Sequence, residues 1–209
     1  QWTNVGGSAS CPITTYEGVA VFEMENTGCY FQTAETVYYC GPSNSFTTAT
    51  WVDWRDEDGK WRMLHRPSSG HIVLAHSDTN ELGVYSNADG GFYGTGYYIN
   101  TQGWYLVISV ALDDDCAADG GIGGTTKIYV GDASNVPGLV GTVNHAVGAG
   151  ESSSMFGHNS GQSPGRIAAT WAWDRDLSSS DIEEVWTLTR SYVPPAPPSP
   201  PPPLPSPPP

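Results

Sequence analysis

Over its first 193 residues the chain repeats short runs in which apolar and polar positions alternate, each run closed by turn-forming residues. Val19 and Val21 alternate with Phe22 and Met24 between Gly18 and Glu25. Thr48–Trp54 is aromatic and β-branched and ends at Asp56-Glu57-Asp58-Gly59. Lys60–Arg66 places Trp61 and Met63 on one face, and His71–His76 does the same with Ile72 and Leu74. Asp78-Thr79-Asn80 turns the chain into Leu82–Tyr85, and residues 87–91 (N-A-D-G-G) turn it again. Runs of this length and period, bounded by Gly, Pro, Asn and Asp, predict strands. Trp104–Leu112 is apolar on both faces, which predicts a central strand covered on each side. Lys127–Val130 and Leu139–Val143 read as a hairpin, and Ile167–Asp174 as the last strand. One helix is predicted: Ser180 caps Asp181–Trp186 with Glu183 reaching back, and Ile182, Val185 and Trp186 share a face that packs on the strands. The pattern therefore predicts an all-β sandwich of residues 1–193 with one short C-terminal helix.

The alternation stops at Val193. The remainder, P-P-A-P-P-S-P-P-P-P-L-P-S-P-P-P, is uncharged and holds most of the chain's 17 prolines. Proline fixes φ and lacks an N–H, so neither helix nor inner strand is open to it. An extended polyproline II tail over residues 194–209 is expected, about 3.1 Å long per residue.

Composition supports a packed head. Hydrophobic residues are only 38%, but 8 Trp, 11 Tyr and 5 Phe supply large buried areas. The formal net charge of −14 lies entirely before the tail, which argues against nucleic-acid partners and anionic membranes. No run of 18 apolar residues is present, so no membrane insertion is expected. The start at Gln1-Trp2 reads as a mature N-terminus left by a removed signal, and a secreted, extracellular location is expected. Cys11, Cys29, Cys40 and Cys116 have no zinc-type spacing and suggest two disulfides. Of the three pairings, Cys11–Cys29 with Cys40–Cys116 is preferred, because the first closes a local loop and the second ties the early strands to the middle of the domain. Asn-linked glycosylation sequons are absent.

Gly165–Trp186 contains G-x-I-x-x-x-x-x-W-x-R-x-L-S followed by a short helix, carried by Gly165, Ile167, Trp173, Arg175, Leu177, Ser178 and Ile182. This resembles the closing segment of laminin G-like domains of the concanavalin A-like jelly-roll group. Trp104-Tyr105-Leu106-Val107, Lys127-Ile128-Tyr129-Val130-Gly131 and Gly141-Thr142-Val143 resemble the family's middle strands in the same order. The resemblance covers roughly Phe46 to Trp186 and implies a concanavalin A-like sandwich. Residues 132–137 lengthen the hairpin relative to the family, and residues 1–45 match nothing in it. The S-P-P-P-P tail resembles the hydroxyproline-rich glycoproteins of plant and green-algal walls, and a globular head on such a stalk looks most like volvocine-algal extracellular matrix proteins. That likeness implies glycans on hydroxylated Pro194, Pro195, Pro197, Pro198, Pro200, Pro201, Pro202, Pro203, Pro205, Pro207, Pro208 and Pro209, with Ser199 and Ser206.

Candidate chemistry is sparse. Glu23 and Glu25 share a strand face, but E-M-E-N-T-G lacks the Asp and third carboxylate of the jelly-roll glycosidase pattern it resembles, so no catalytic residue is expected. Asp113, Asp114, Asp115 and Asp119 crowd one loop and are candidates for structural calcium, although the loop lacks the D-x-D-x-D-G form. No cofactor is required. The histidines show no metal spacing. Phe92, Tyr93, Tyr97, Tyr98 and Trp104 are candidates for stacking on sugars or on a polyproline stalk. The leading expectation is a secreted, non-enzymatic structural glycoprotein of a matrix, cell wall or surface fibre that self-associates head to stalk. The alternative is a lectin-like carbohydrate-binding module, and a wall-modifying glycoside hydrolase is disfavoured.

Overall fold

The computed structural model describes residues 2–4, 12–23, 31–33, 45–55, 61–66, 72–87, 90–112, 124–145, 155–156 and 165–194. In chain order the strands are β1 (Trp2–Asn4), β2 (Ile13–Tyr16), β3 (Val19–Glu23), β4 (Phe31–Thr33), β5 (Ser45–Trp54), β6 (Arg62–His65) and β7 (Ile72–Ala75). They continue with β8 (Glu81–Ser86), β9 (Gly91–Tyr98), β10 (Gly103–Leu112), β11 (Thr125–Gly131), β12 (Gly138–Val143), β13 (Met155–Phe156) and β14 (Arg166–Trp173). Helix α1 (Ser179–Thr189) runs into a 3₁₀ turn, Arg190–Tyr192.

The strands form a jelly-roll sandwich. The larger sheet has the order β12-β11-β10-β5-β14-β3-β2, and the smaller has β6-β7-β8-β9. A three-stranded sheet, β1-β4-β13, places β13 beside β6. Neighbouring strands are antiparallel throughout.

Why the central strands are apolar on both faces follows from what covers them. β5 pairs with β10 so that Trp51 lies opposite Leu106 and Ala49 opposite Ile108. Successive side chains of a strand point to opposite faces. Val52, Trp54 and Val107 therefore face the smaller sheet, where they meet Leu64, Ala75, Leu82 and Ile99. Ala49, Trp51, Leu106, Ile108 and Val110 face away from it and meet Leu177, Ile182, Trp186 and Val193. Helix α1 thus covers the outer face of the larger sheet, and all of β5 is buried. Buried polar groups on these strands pair with one another: Thr48 Oγ1 and Ser109 Oγ lie 2.7 Å apart, and Trp51 Nε1 donates to Thr189 Oγ1 at 2.9 Å. Such satisfied groups avoid the desolvation penalty of orphaned ones.

The helix begins earlier than the sequence pattern predicts. Ser178, not Ser180, is the N-cap: its hydroxyl accepts from the Asp181 amide, and the Asp181 carboxylate accepts from the Ser178 amide at 2.8 Å. Two features favour this box over Ser180 with Glu183. Leu177 is buried in the core just before the cap, and Arg175 holds the Asp181 carboxylate through Nη2 and Nη1 at 3.1 and 3.2 Å. The hairpin of β11 and β12 turns over 132–137, where Asp132 Oδ1 accepts from the amides of Ser134 and Asn135. The four cysteines, Asp113, Asp114, Asp115, Asp119, Glu25 and the tail beyond Pro194 lie outside the described residues.

Candidate functional site

One charged row crosses the outer face of the larger sheet. The strand registers align Glu23 on β3 with Arg166 on β14, Arg166 with Asp53 on β5, and Asp53 with Trp104 on β10. Arg166 donates to Glu23 Oε2 at 2.7 Å and to Asp53 Oδ2 at 3.1 Å. Arg55 donates to the same Asp53 oxygen at 2.8 Å. Asp53 is 3% exposed, and burying a carboxylate so deep in a sheet is costly without such partners. Both guanidinium groups also lie over the ring of Tyr16, at 4.2 Å for Arg166 and 5.1 Å for Arg55. Burial opposes the Arg55 charge, but the Asp53 carboxylate outweighs it and holds Arg55 above its ordinary pKa.

The approach of β14 to this row depends on a glycine. Gly165 has φ +97°, a region L side chains rarely adopt, and a Cβ there would stand 2.6 Å from the Asp53 carbonyl. Only glycine lets the chain enter the sheet at the residue before Arg166.

Beside the row lies a cleft of about 330 Å³, lined among others by Tyr16, Glu17, Asp53, Arg55, Gln102, Trp104, Tyr105, Asp132 and Pro194. Tyr105 Oη lies 3.2 Å from the Thr101 carbonyl and also bonds its hydroxyl. Asp132 is fixed from two sides: its carboxylate serves the 132–137 turn, and its carbonyl accepts from Trp186 Nε1 at 2.8 Å. Trp104 Nε1 is buried and has no acceptor among the described residues. The cleft thus combines aromatic surface with planar hydrogen-bonding groups. No cluster of three metal-ligating side chains occurs among the described residues.

The five aromatics singled out from sequence do not converge. Phe92, Tyr93, Tyr97 and Tyr98 all lie on β9 of the smaller sheet, whereas Trp104 lines the cleft. Phe92 packs with Trp61 and His76, Tyr93 stacks on His145 at 4.5 Å, and Tyr97 packs against the inter-sheet core. Tyr98 is 45% exposed. Glu23 is bound to Arg166. Sequence reasoning missed Tyr16, Asp53, Arg55 and Arg166. The usable signal was Asp53: a carboxylate set between Trp51, Val52 and Trp54 demands a cationic partner.

By sequence, no protein-family model and no curated protein matches the chain. By structure, it is similar to domain 4 of AbnA, a GH43 extracellular arabinanase from Geobacillus stearothermophilus, in complex with arabinotriose. That comparison has a TM-score of 0.61 at 12% identity and covers 88% of this chain and 87% of the other. The binding domain of botulinum neurotoxin DC in complex with SialylT gives a TM-score of 0.57 at 14% identity, over 90% of this chain but only 46% of the toxin chain. A SAP-like pentraxin from Limulus polyphemus gives 0.50 at 13% identity, over 84% and 79% of the two chains. At such identities the likeness speaks to architecture alone, and the architecture it shares with these proteins is the concanavalin A-like jelly-roll β-sandwich.

Proposed function

We propose that the head is a glycan-binding module without catalytic function, and that the cleft beside Asp53 and Trp104 holds the sugar. The cleft itself carries this reading. Aromatic rings offer apolar faces to the C–H side of a pyranose or furanose ring, while the surrounding planar polar groups match hydroxyls in direction. Glu17, Asp53 and Asp132 outnumber Arg55 along the lining, which favours neutral sugars over sialylated or uronate-bearing ones. The complexes of two structural neighbours with arabinotriose and SialylT lend support by analogy of fold. A binding role suits the state of the acids. Glu23 and Asp53 are held by guanidinium groups and Asp132 by its turn, whereas hydrolysis needs an acid and a base free to exchange protons. The proline-rich tail suits a tethered, extracellular setting for the module.

A glycan array read with the full chain tests this. Neutral oligosaccharides should bind and sialylated ones should not. Trp104→Ala, in protein with an unchanged circular dichroism spectrum, should weaken binding by about tenfold or more, as expected for loss of a stacking ring. Absence of binding to every neutral glycan would overturn the proposal.

A further inference from the structure

We propose that the cleft also receives the proline-rich tail of a second copy of this chain, residues 195–209, so that heads and tails join in series. The proposal goes beyond sugar binding and does not depend on it. It starts from where the tail leaves the head. Val193 is 5% exposed and sits in the core under α1, and Pro194, first of the proline run, lines the cleft. The tail is therefore rooted in the cleft wall. A polyproline II rod is stiff over several residues, and 195–209 would span roughly 45 Å at about 3.1 Å per residue. A stiff rod does not reverse within a few residues, so the rod of a neighbour reaches the cleft more readily than the chain's own.

The lining fits such a rod. Polyproline II carbonyls have no internal hydrogen-bond partners, and its flat pyrrolidine faces dock on aromatic rings. Tyr16 and Trp104 supply rings, and Trp104 Nε1 is a buried donor with no acceptor among the described residues. Charge points the same way. The −14 of the chain lies entirely in the head, so direct head-to-head contact is opposed, while the tail carries no charge. Each undocked residue of such a rod adds about 3.1 Å between heads, so a few of them exceed the ~8 Å screening length at physiological salt.

The test uses the full chain and a synthetic, unmodified peptide of residues 195–209. Tryptophan fluorescence should show saturable binding of the peptide. Sedimentation velocity should show concentration-dependent self-association that excess peptide reverses. Trp104→Phe keeps a ring but removes the donor, and it should weaken peptide binding by about fivefold, the loss of roughly one hydrogen bond. If that variant does not fold, Gln102→Trp fills the cleft from a loop and should give a larger loss. A chain that stays monomeric at all concentrations and ignores the peptide overturns the proposal. So does peptide binding that appears only after the chain's own tail is removed, since the cleft would then be filled in cis. Because the peptide carries no sugar, failure of either ligand to bind leaves the test of the other standing; where both bind, they compete for the cleft.

Discussion

Asp53 and His65 show two ways in which this fold keeps a polar side chain inside a sheet. One oxygen of Asp53 accepts from Arg55 Nε and Arg166 Nη1 and lies 2.8 Å from Arg55 Nη2, so the carboxylate is paired where it is buried. His65 on β6 is instead kept neutral: burial lowers its pKa from 6.5 to about 3. The sign of the linkage follows. Between pH 6.5 and 3 the unfolded chain binds a proton at this position that the folded chain does not, so the folded state loses stability as pH falls through that window. Urea midpoints should therefore drop between pH 7 and pH 4.5, and the drop should be smaller in His65→Gln. An equal drop in both proteins would assign the acid sensitivity elsewhere. Of these two roles, only the need of Asp53 for a cation was readable in the chain, and the identity of that cation was not. Periodicity reports that Asp53 and His65 lie on strands, but partners at the Arg166 separation are set by which strands become neighbours.

Helix α1 depends on its first turn more than on its propensity. The Ser178–Asp181 box closes the N-terminus, and the Asp181 carboxyl is held well below the usual carboxylate range, first by the hydrogen bond from Arg175 and then by those from Ser178. Ser178→Ala should lower global stability by about 1 kcal/mol, the usual cost of losing such a cap, read as a shifted denaturation midpoint with unchanged slope. Ser180→Ala should leave the midpoint nearly unchanged, since Ser180 is exposed and its hydroxyl only meets that of Ser178. The elements themselves were largely legible. Alternation located β5, β10, β14 and the β11–β12 pair within a few residues, because each buries at least one face against a partner. The cap was displaced by two residues because S-S-S-D offers several serines and sequence alone does not say which is anchored by a buried Leu177. The β9 aromatics read as one surface, but a strand sends neighbours to opposite sides, and Phe92 and Tyr97 end in different packing clusters.

At the scale of the whole molecule, three layers share the larger sheet. The smaller sheet lies on one side and α1 on the other, so the helix is part of the core rather than an appendage. Ile182→Ala, at a residue 1% exposed, should cost about 2–5 kcal/mol. Tryptophan fluorescence and far-ultraviolet circular dichroism should report the same lowered midpoint; separate transitions would show that the helix melts independently of the sandwich. The jelly-roll class was visible in the sequence because the order of motifs from Phe46 to Trp186 follows the order of strands. The cleft was not, because Tyr16, Asp53, Trp104 and Pro194 come from four distant parts of the chain. The pairing of β5 has a further effect in time. Its partners are β10, which ends at Leu112, and β14, which ends at Trp173. During synthesis the central strand must wait for most of the domain to emerge before either side is closed, and pairings of such long sequence separation form slowly. For that interval Trp51, Val52 and Trp54 have no sheet to enter, and exposed aromatic strands of that kind are prone to aggregate.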